Sequence, residues 1–181
     1  IKGIVQPRPD GDEPVLGYPI LGEDADLPSL LTQTPNALVT VGQIKTPSLR
    51  QRLYELLQEL KANMPTIVSP HAYVSRHAEV AVGTLVMHGA VVNPGARIGV
   101  NSIANSLALI EHDAVIGNHC HVSTGARING GVVVEDGCFI GSGAVLCEGV
   151  RVGENSVIGA GCVVASDLAP NTLLRIQPSA N

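Results

Sequence analysis

From Ala72 onward a branched aliphatic residue returns at every sixth position. Written in sixes the chain reads AYVSRH, AEVAVG, TLVMHG, AVVNPG and onward to CVVASD, sixteen hexads from 72 to 167 without an insertion. The third position is Val, Ile or Leu in every hexad but one, where Ala104 stands. The first is Ala, Thr, Ser or Cys, with Val in two, and the sixth is often Gly, Asn or Asp. This beat fits neither the three-and-four spacing of a helix nor plain strand alternation. It predicts a parallel β-helix of short flat faces. The aliphatic side chain points inward, the small residue lets the backbone bend, and Gly or Asn accepts the corner. Stacked coils then bury ladders of Val and Ile.

Residues 1–66 follow a different pattern. GIV (3–5) and NALVTVG (36–42) are short apolar runs of strand type. SLRQRLYELLQELKAN (48–63) sets Leu49, Leu53, Leu56, Leu57 and Leu60 at helical spacing, with Thr46 or Ser48 as the cap. MPTIVSP (64–70) then leads into the hexads. A small α/β domain with a parallel sheet is expected over 1–66, followed by the β-helix over 67–181.

Composition narrows the function. Aromatic residues are 2 % of the 181, with no Trp, so the core must be built from small and β-branched side chains. The net charge of −5 offers no basic footprint, and the chain has no aromatic platform for nucleic acid. No apolar run reaches membrane-span length, and no leader pattern is present. The four cysteines lack paired spacing, which points to reduced thiols and a cytoplasmic setting. Cys120, Cys138 and Cys162 take the small first position and are expected as core fillers. The chain opens at Ile1 and is expected to be a piece of a longer protein.

Against this background LALIEHDAVIG (107–117) stands out, because Glu111, His112 and Asp113 interrupt an apolar run in phase with the repeat. Histidines also occur at 71, 77, 88, 119 and 121, so one alone carries little weight. An imidazole flanked by carboxylates suits proton removal near neutral pH.

VLGYPILG, VGQIKTPSLRQRLYELL and PTIVSPHAYVSRHAEV, followed by the hexads, resemble the hexapeptide-repeat sugar acetyltransferases. Both the sialic-acid-cluster O-acetyltransferases and the nucleotide-aminosugar N-acetyltransferases fit. The resemblance covers essentially the whole chain and is strongest from Val41 to Gly143. It implies a mainly β fold: a left-handed β-helix with three hexads per coil, behind a small, incomplete Rossmann-like domain. Residues eighteen apart should then stack about one strand spacing apart. It implies acetyl-CoA as donor, no metal, a homotrimer, and a small sugar as acceptor. His112 matches the family's general base and Asp113 its orienting carboxylate, with Glu111 as runner-up for that role or as a wall of the pocket. His121 matches a histidine that reaches the thioester carbonyl, and Gly130 a glycine whose N–H points at the same oxygen. Pantetheine contacts fall near Gly141, Ser142 and Gly143, and near Ala160 and Gly161. Asn105 helps shape the acceptor pocket.

Some positions depart from the family pattern. The Gly-rich nucleotide-holding turn is absent from this sequence, VQPRPD stands where members often carry Asp-Asp, and RIQPSAN stands where members end Gly-x-Pro-Ala-Lys, with Ile176 in the glycine position. His121 lies nine residues, half a coil, from His112. Two such points face different sides of one prism, so a site using both is expected between neighbouring chains. The acceptor favoured by the two-domain layout is the amino group of a nucleotide-linked amino-deoxy sugar in bacterial glycan synthesis. A hydroxyl of a sialic-acid-like sugar is the alternative, and a non-catalytic β-helix assembly subunit a further one. A zinc enzyme of the γ-carbonic anhydrase type, using His77, His112 and His119 or His121, is disfavoured by the spacing and by the preceding α/β region.

Overall fold

The computed structural model describes residues 1–7, 13–43 and 45–176. Arg8, Pro9 and Asp10 of the VQPRPD stretch, Ile44 of the VGQIKTP stretch, and 177–181 of the RIQPSAN end lie outside the described residues.

Residues 66–174 wind into a left-handed triangular prism of two-residue strands. Its three faces are parallel sheets of seven, six and five strands. Partners along each face are eighteen residues apart, as in Leu109 with Arg127 and Ile110 with Ile128. Third-position side chains fill the interior: Ile110, Ile128, Ile140, Leu146 and Ile158 are fully buried, and first-position Ala, Cys, Ser and Val pack beside them. Each buried aliphatic of this size contributes about 1.5–3 kcal/mol relative to exposure. All four cysteines are free thiols, and burial pushes the Cys120 thiol up from its ordinary pKa.

The prism starts one hexad earlier than the pattern from Ala72 indicated, because Ile67–Val68 already pairs with Leu85–Val86. At its other end the register shortens: Leu173 pairs with Val157, sixteen residues back. Every sixth position from Gly83 to Gly161 has positive φ, which turns the chain at each corner. Nine of these are glycine, and the others are Asn101, Leu107, Asp113, His119 and Asn155.

In the preceding region β1 (Ile4–Val5) and β2 (Ile20–Gly22) pair in parallel. Helix α1 (Leu27–Gln33), not foreseen from the sequence, begins with Pro28 in its first turn. Helix α2 (Ser48–Glu59) ends four residues before the expected limit, where Lys61 turns left-handed at φ 53°. Thr46 Oγ1 accepts from the Ser48 amide (3.2 Å), serving a first-turn N–H as a capping side chain does. Residues 36–42 form no strand; they touch the chain's other backbone through one bridge, Asn36 to Asn63. The run instead leads into a strap, residues 41–43, laid against the seven-stranded face, where Gln43 Nε2 donates to Gly137 O (3.0 Å) and Gln43 O faces His121. Arg50 fixes that strap to the prism. The residue is 1 % exposed, and its guanidinium donates to Val41 O, Asn101 O (2.7 Å) and Asn101 Oδ1 (2.8 Å).

Candidate active site

The corner between the six- and five-stranded faces stacks Asn93–Gly95, Glu111–Asp113, Asn129–Gly131 and Cys147–Gly149. Asp113 adopts φ 61°, a left-handed conformation that Asp tolerates better than most residues. This turns its carboxylate back onto the preceding ring, and Asp113 Oδ2 lies 2.9 Å from His112 Nδ1. A carboxylate only accepts, so Nδ1 carries the proton, and Nε2 of the neutral ring keeps its lone pair. The His112 side chain is 61 % exposed. Gly130, eighteen residues on, lies against it: a Cβ there would sit 2.7 Å from His112 Nε2. Glu111 is turned away, accepting from Asn93 Nδ2 at 2.7 Å. Asp113 thus takes the orienting position and Glu111 ties two coils together.

Asp113 raises the His112 pKa above its usual 6.5 through that hydrogen bond and its charge, with Glu111 and Glu148 adding attraction. Asp113→Asn is expected to bring the value down. An NMR titration of the His112 ring checks this, and an unchanged midpoint would remove Asp113 as the cause.

His121 lies on the seven-stranded face, away from the His112 corner, and is 8 % exposed beneath the strap. Its Nδ1–H donates to Gln43 O (3.0 Å), and Nε2 accepts from Asn105 Nδ2 (3.0 Å). Asn105 is oriented for this because its Oδ1 accepts from the Ser106 amide at 2.7 Å. The ring meets Phe139 edge-on, with centroids 5.3 Å apart. Burial lowers the His121 pKa and the Arg50 charge lowers it further, against the opposing pull of Gln43 O, so the ring is neutral at pH 7. The structure therefore joins His112, Asp113 and Gly130 in one place and His121 with Asn105 in another.

A groove of about 430 Å³ opens beyond His121, lined by Lys45, Phe139, Gly141, Ser142, Ala160 and Arg175 among others. Gly141, Ser142 and Ala160, three of the five residues expected near the pantetheine arm, line this groove; Gly143 and Gly161 are the exposed left-handed corners beside them. Gly141 is also required by the fold, since a Cβ would meet Gly159 C of the next coil at 2.6 Å. Sequence reasoning missed Gln43, Lys45, Phe139 and Arg175. Phe139 carried a signal, being the chain's one Phe and standing at an outward second position. Among the described residues no three His, Cys, Asp or Glu side chains converge to hold an ion; His77 and His112 lie about two coils apart on one corner, His119 on another corner and His121 on the seven-stranded face. No helix among the described residues is long and apolar enough to cross a membrane.

A family model described as bacterial transferase hexapeptide (six repeats) matches residues 131–166. Among solved structures the chain resembles the GDP-perosamine N-acetyltransferase of Caulobacter crescentus, seen as a histidine variant in complex with CoA and GDP-perosamine. Identity is 32 % over 94 % of this chain and 80 % of that one, with a TM-score of 0.87. The acetyltransferase domain of PglB from Neisseria gonorrhoeae, in complex with acetyl coenzyme A, matches at 29 % identity over 90 % of this chain and 78 % of that one, TM-score 0.81. WeeI from Acinetobacter baumannii shares the fold at 22 % identity, covering 94 % and 81 % of the two chains, TM-score 0.78. A search of curated protein sequences gives no significant match.

Proposed function

This chain belongs to the hexapeptide-repeat sugar acetyltransferases, and we propose that it moves an acetyl group from acetyl-CoA to the amino group of a nucleotide-linked amino-deoxy sugar, with His112 as general base. The chain is an acyltransferase with acetyl-CoA as its donor. The observation that carries the acceptor reading is the likeness to the perosamine enzyme across nearly the whole chain. His112 gains its role from its exposed Nε2, with Asp113 holding the opposite nitrogen. The amine attacks the thioester carbon and passes its proton to Nε2. The C–S bond then breaks, and the departing thiolate recovers a proton. In this reading the Gly130 N–H serves the oxyanion and the groove beside Ser142 takes the pantetheine arm.

The enzyme proposed is a cytoplasmic trimer, and the outer surface of the six-stranded face supports the trimer. Its outward residues are Tyr73, Val91, Leu109, Val145 and Val163, with Arg127 as the lone charge. The five-stranded face instead carries the ion pairs Arg97–Glu79 (4.0 Å) and Arg151–Glu135 (2.7 Å). Apolar area of that extent, uncovered by the chain's own elements, suits packing on a neighbour. In such an assembly the His112 corner of one chain meets the His121 and Asn105 side of the next.

Two experiments test this reading. Thiol release from acetyl-CoA is measured with GDP-, UDP- and dTDP-linked 4-amino sugars and with free and CMP-linked nonulosonic acids. Turnover confined to the nonulosonic acids would replace amine by hydroxyl transfer, and acetyl-CoA binding with no turnover would favour an assembly subunit. For the shared site, inactive His112→Ala and His121→Ala chains are refolded together. About a quarter of the interfaces should then be whole in a cyclic trimer. A mixture no more active than its parents, with subunit exchange confirmed by mass tags, sinks the inter-chain site.

A further inference from the structure

The ridge joining the seven- and six-stranded faces runs in a fixed order. Backbone bonds link Gly161 to Ser142, Gly143 to Thr124, Gly125 to Ser106, Leu107 to His88 and Gly89 to His71, each at 2.9–3.0 Å. The groove lies at the Ser142–Ala160 end of this ridge, and the Asn105–His121 pair follows it. A donor arm entering from the groove brings its thioester toward Asn105. The acceptor therefore approaches from the opposite end, over Leu107 and His88.

Leu107 is the anomaly on that path. It is the one apolar residue among the non-glycine left-handed corners, at φ 60°, and it is 66 % exposed. A bulky side chain in that region is strained, and burial does not compensate for it here. The other non-glycine corners carry Asn, Asp or His. Asn101, Asp113 and His119 each spend the side chain on a bond: Asn101 with Arg50 and His119, Asp113 with His112. Leu107 makes no such bond. Instead it lies over Gly89, where a Cβ would come within 2.7 Å of Leu107 Cδ2. Its ridge neighbours Asn105, Ser106, His88 and Thr124 are polar. With half-buried Met87 one coil back and the apolar six-stranded face at its side, Leu107 is the most exposed apolar contact on a mainly polar track, with room for one methyl group.

We propose that Leu107 is a specificity-determining residue that packs against the deoxy methyl of the acceptor sugar. This rests on the aminosugar reading above. Acetyl transfer by the wild type and by Leu107→Asn, which keeps a residue tolerant of the corner, is measured on two GDP-linked acceptors. One is a 4-amino-4,6-dideoxyhexose, and the other is the same sugar with a hydroxyl at C6. The wild type should favour the deoxy acceptor by about tenfold or more in kcat/KM, as one well-placed methyl allows. The variant should lose that preference through KM, with kcat held within about twofold, because the contact is made equally before and during reaction. An active wild type with no preference, or a preference the variant retains, overturns the proposal and leaves the aminosugar reading intact. A variant that falls to a smaller assembly on light scattering assigns Leu107 to subunit packing and overturns it as well. A wild type inert to both sugars overturns the aminosugar reading and this inference together.

Discussion

Replacing His112 with alanine is expected to cut acetyl turnover by about 10²–10⁴, the usual worth of a positioned general base. Folding should be untouched, because the ring is largely exposed at a corner and its one side-chain partner is the neighbouring Asp113. Gly130→Ala tests the same geometry from the other side. Its methyl would occupy space within 2.7 Å of the ring, so His112 must swing off Asp113 or the coil must shift. Turnover should fall in both variants while melting temperature and circular dichroism stay close to wild type in His112→Ala. A His112→Ala protein that keeps more than half its turnover would place the base elsewhere.

The parts of this site that could be read in the sequence are those the coil makes periodic. His112 and Asp113 are adjacent, and Gly130 is one full coil on, so an eighteen-residue repeat brings them together by arithmetic. The surroundings of His121 have no such rule. Gln43 is 78 residues away and Arg50 is 51 from Asn101, and only tertiary docking of the strap joins them. The run 36–42 misled for a related reason. Alternation in Ala37, Val39 and Val41 suggests one-sided burial, yet only Val39 is buried and Val41 is exposed, and a ladder needs a partner strand that this segment lacks. Helix α1, at seven residues, is too short to show a period.

The second large effect is expected on stability. Arg50→Ala removes the donor to two buried oxygens of Asn101 and to the part-buried Val41 O, and leaves a side-chain-sized void between α2, the strap and the Asn101 corner. The groups that bond it include no carboxylate, and burial lowers its pKa to about 10, so it remains charged at neutral pH. Losing those bonds should cost about 3–5 kcal/mol, through unsatisfied acceptors and lost packing. For a chain of this size that corresponds to a fall of roughly 6–20 °C in Tm. Arg50→Lys should rescue little, because an ammonium cannot fork across three acceptors. With the strap loosened and the cation gone, the His121 pKa should rise toward its ordinary value. A Tm within about 1 °C of wild type would show that the strap is held by something other than Arg50.

The three-hexad coil also makes chain length a quantised quantity. Within 72–164, deleting one residue would turn every downstream aliphatic side chain away from the interior, and removing six would carry each downstream strand to another face. Only changes of eighteen keep both the interior and the ridges aligned. Even these are not equivalent everywhere. A coil added before Asn93 keeps His112, Asp113 and Gly130 stacked but carries Asn101 and His121 one rung away from Arg50 and Gln43. A coil added between His112 and Gly130 puts a new rung between the imidazole and the amide that faces it, and the prism would fold with its chemistry pulled apart.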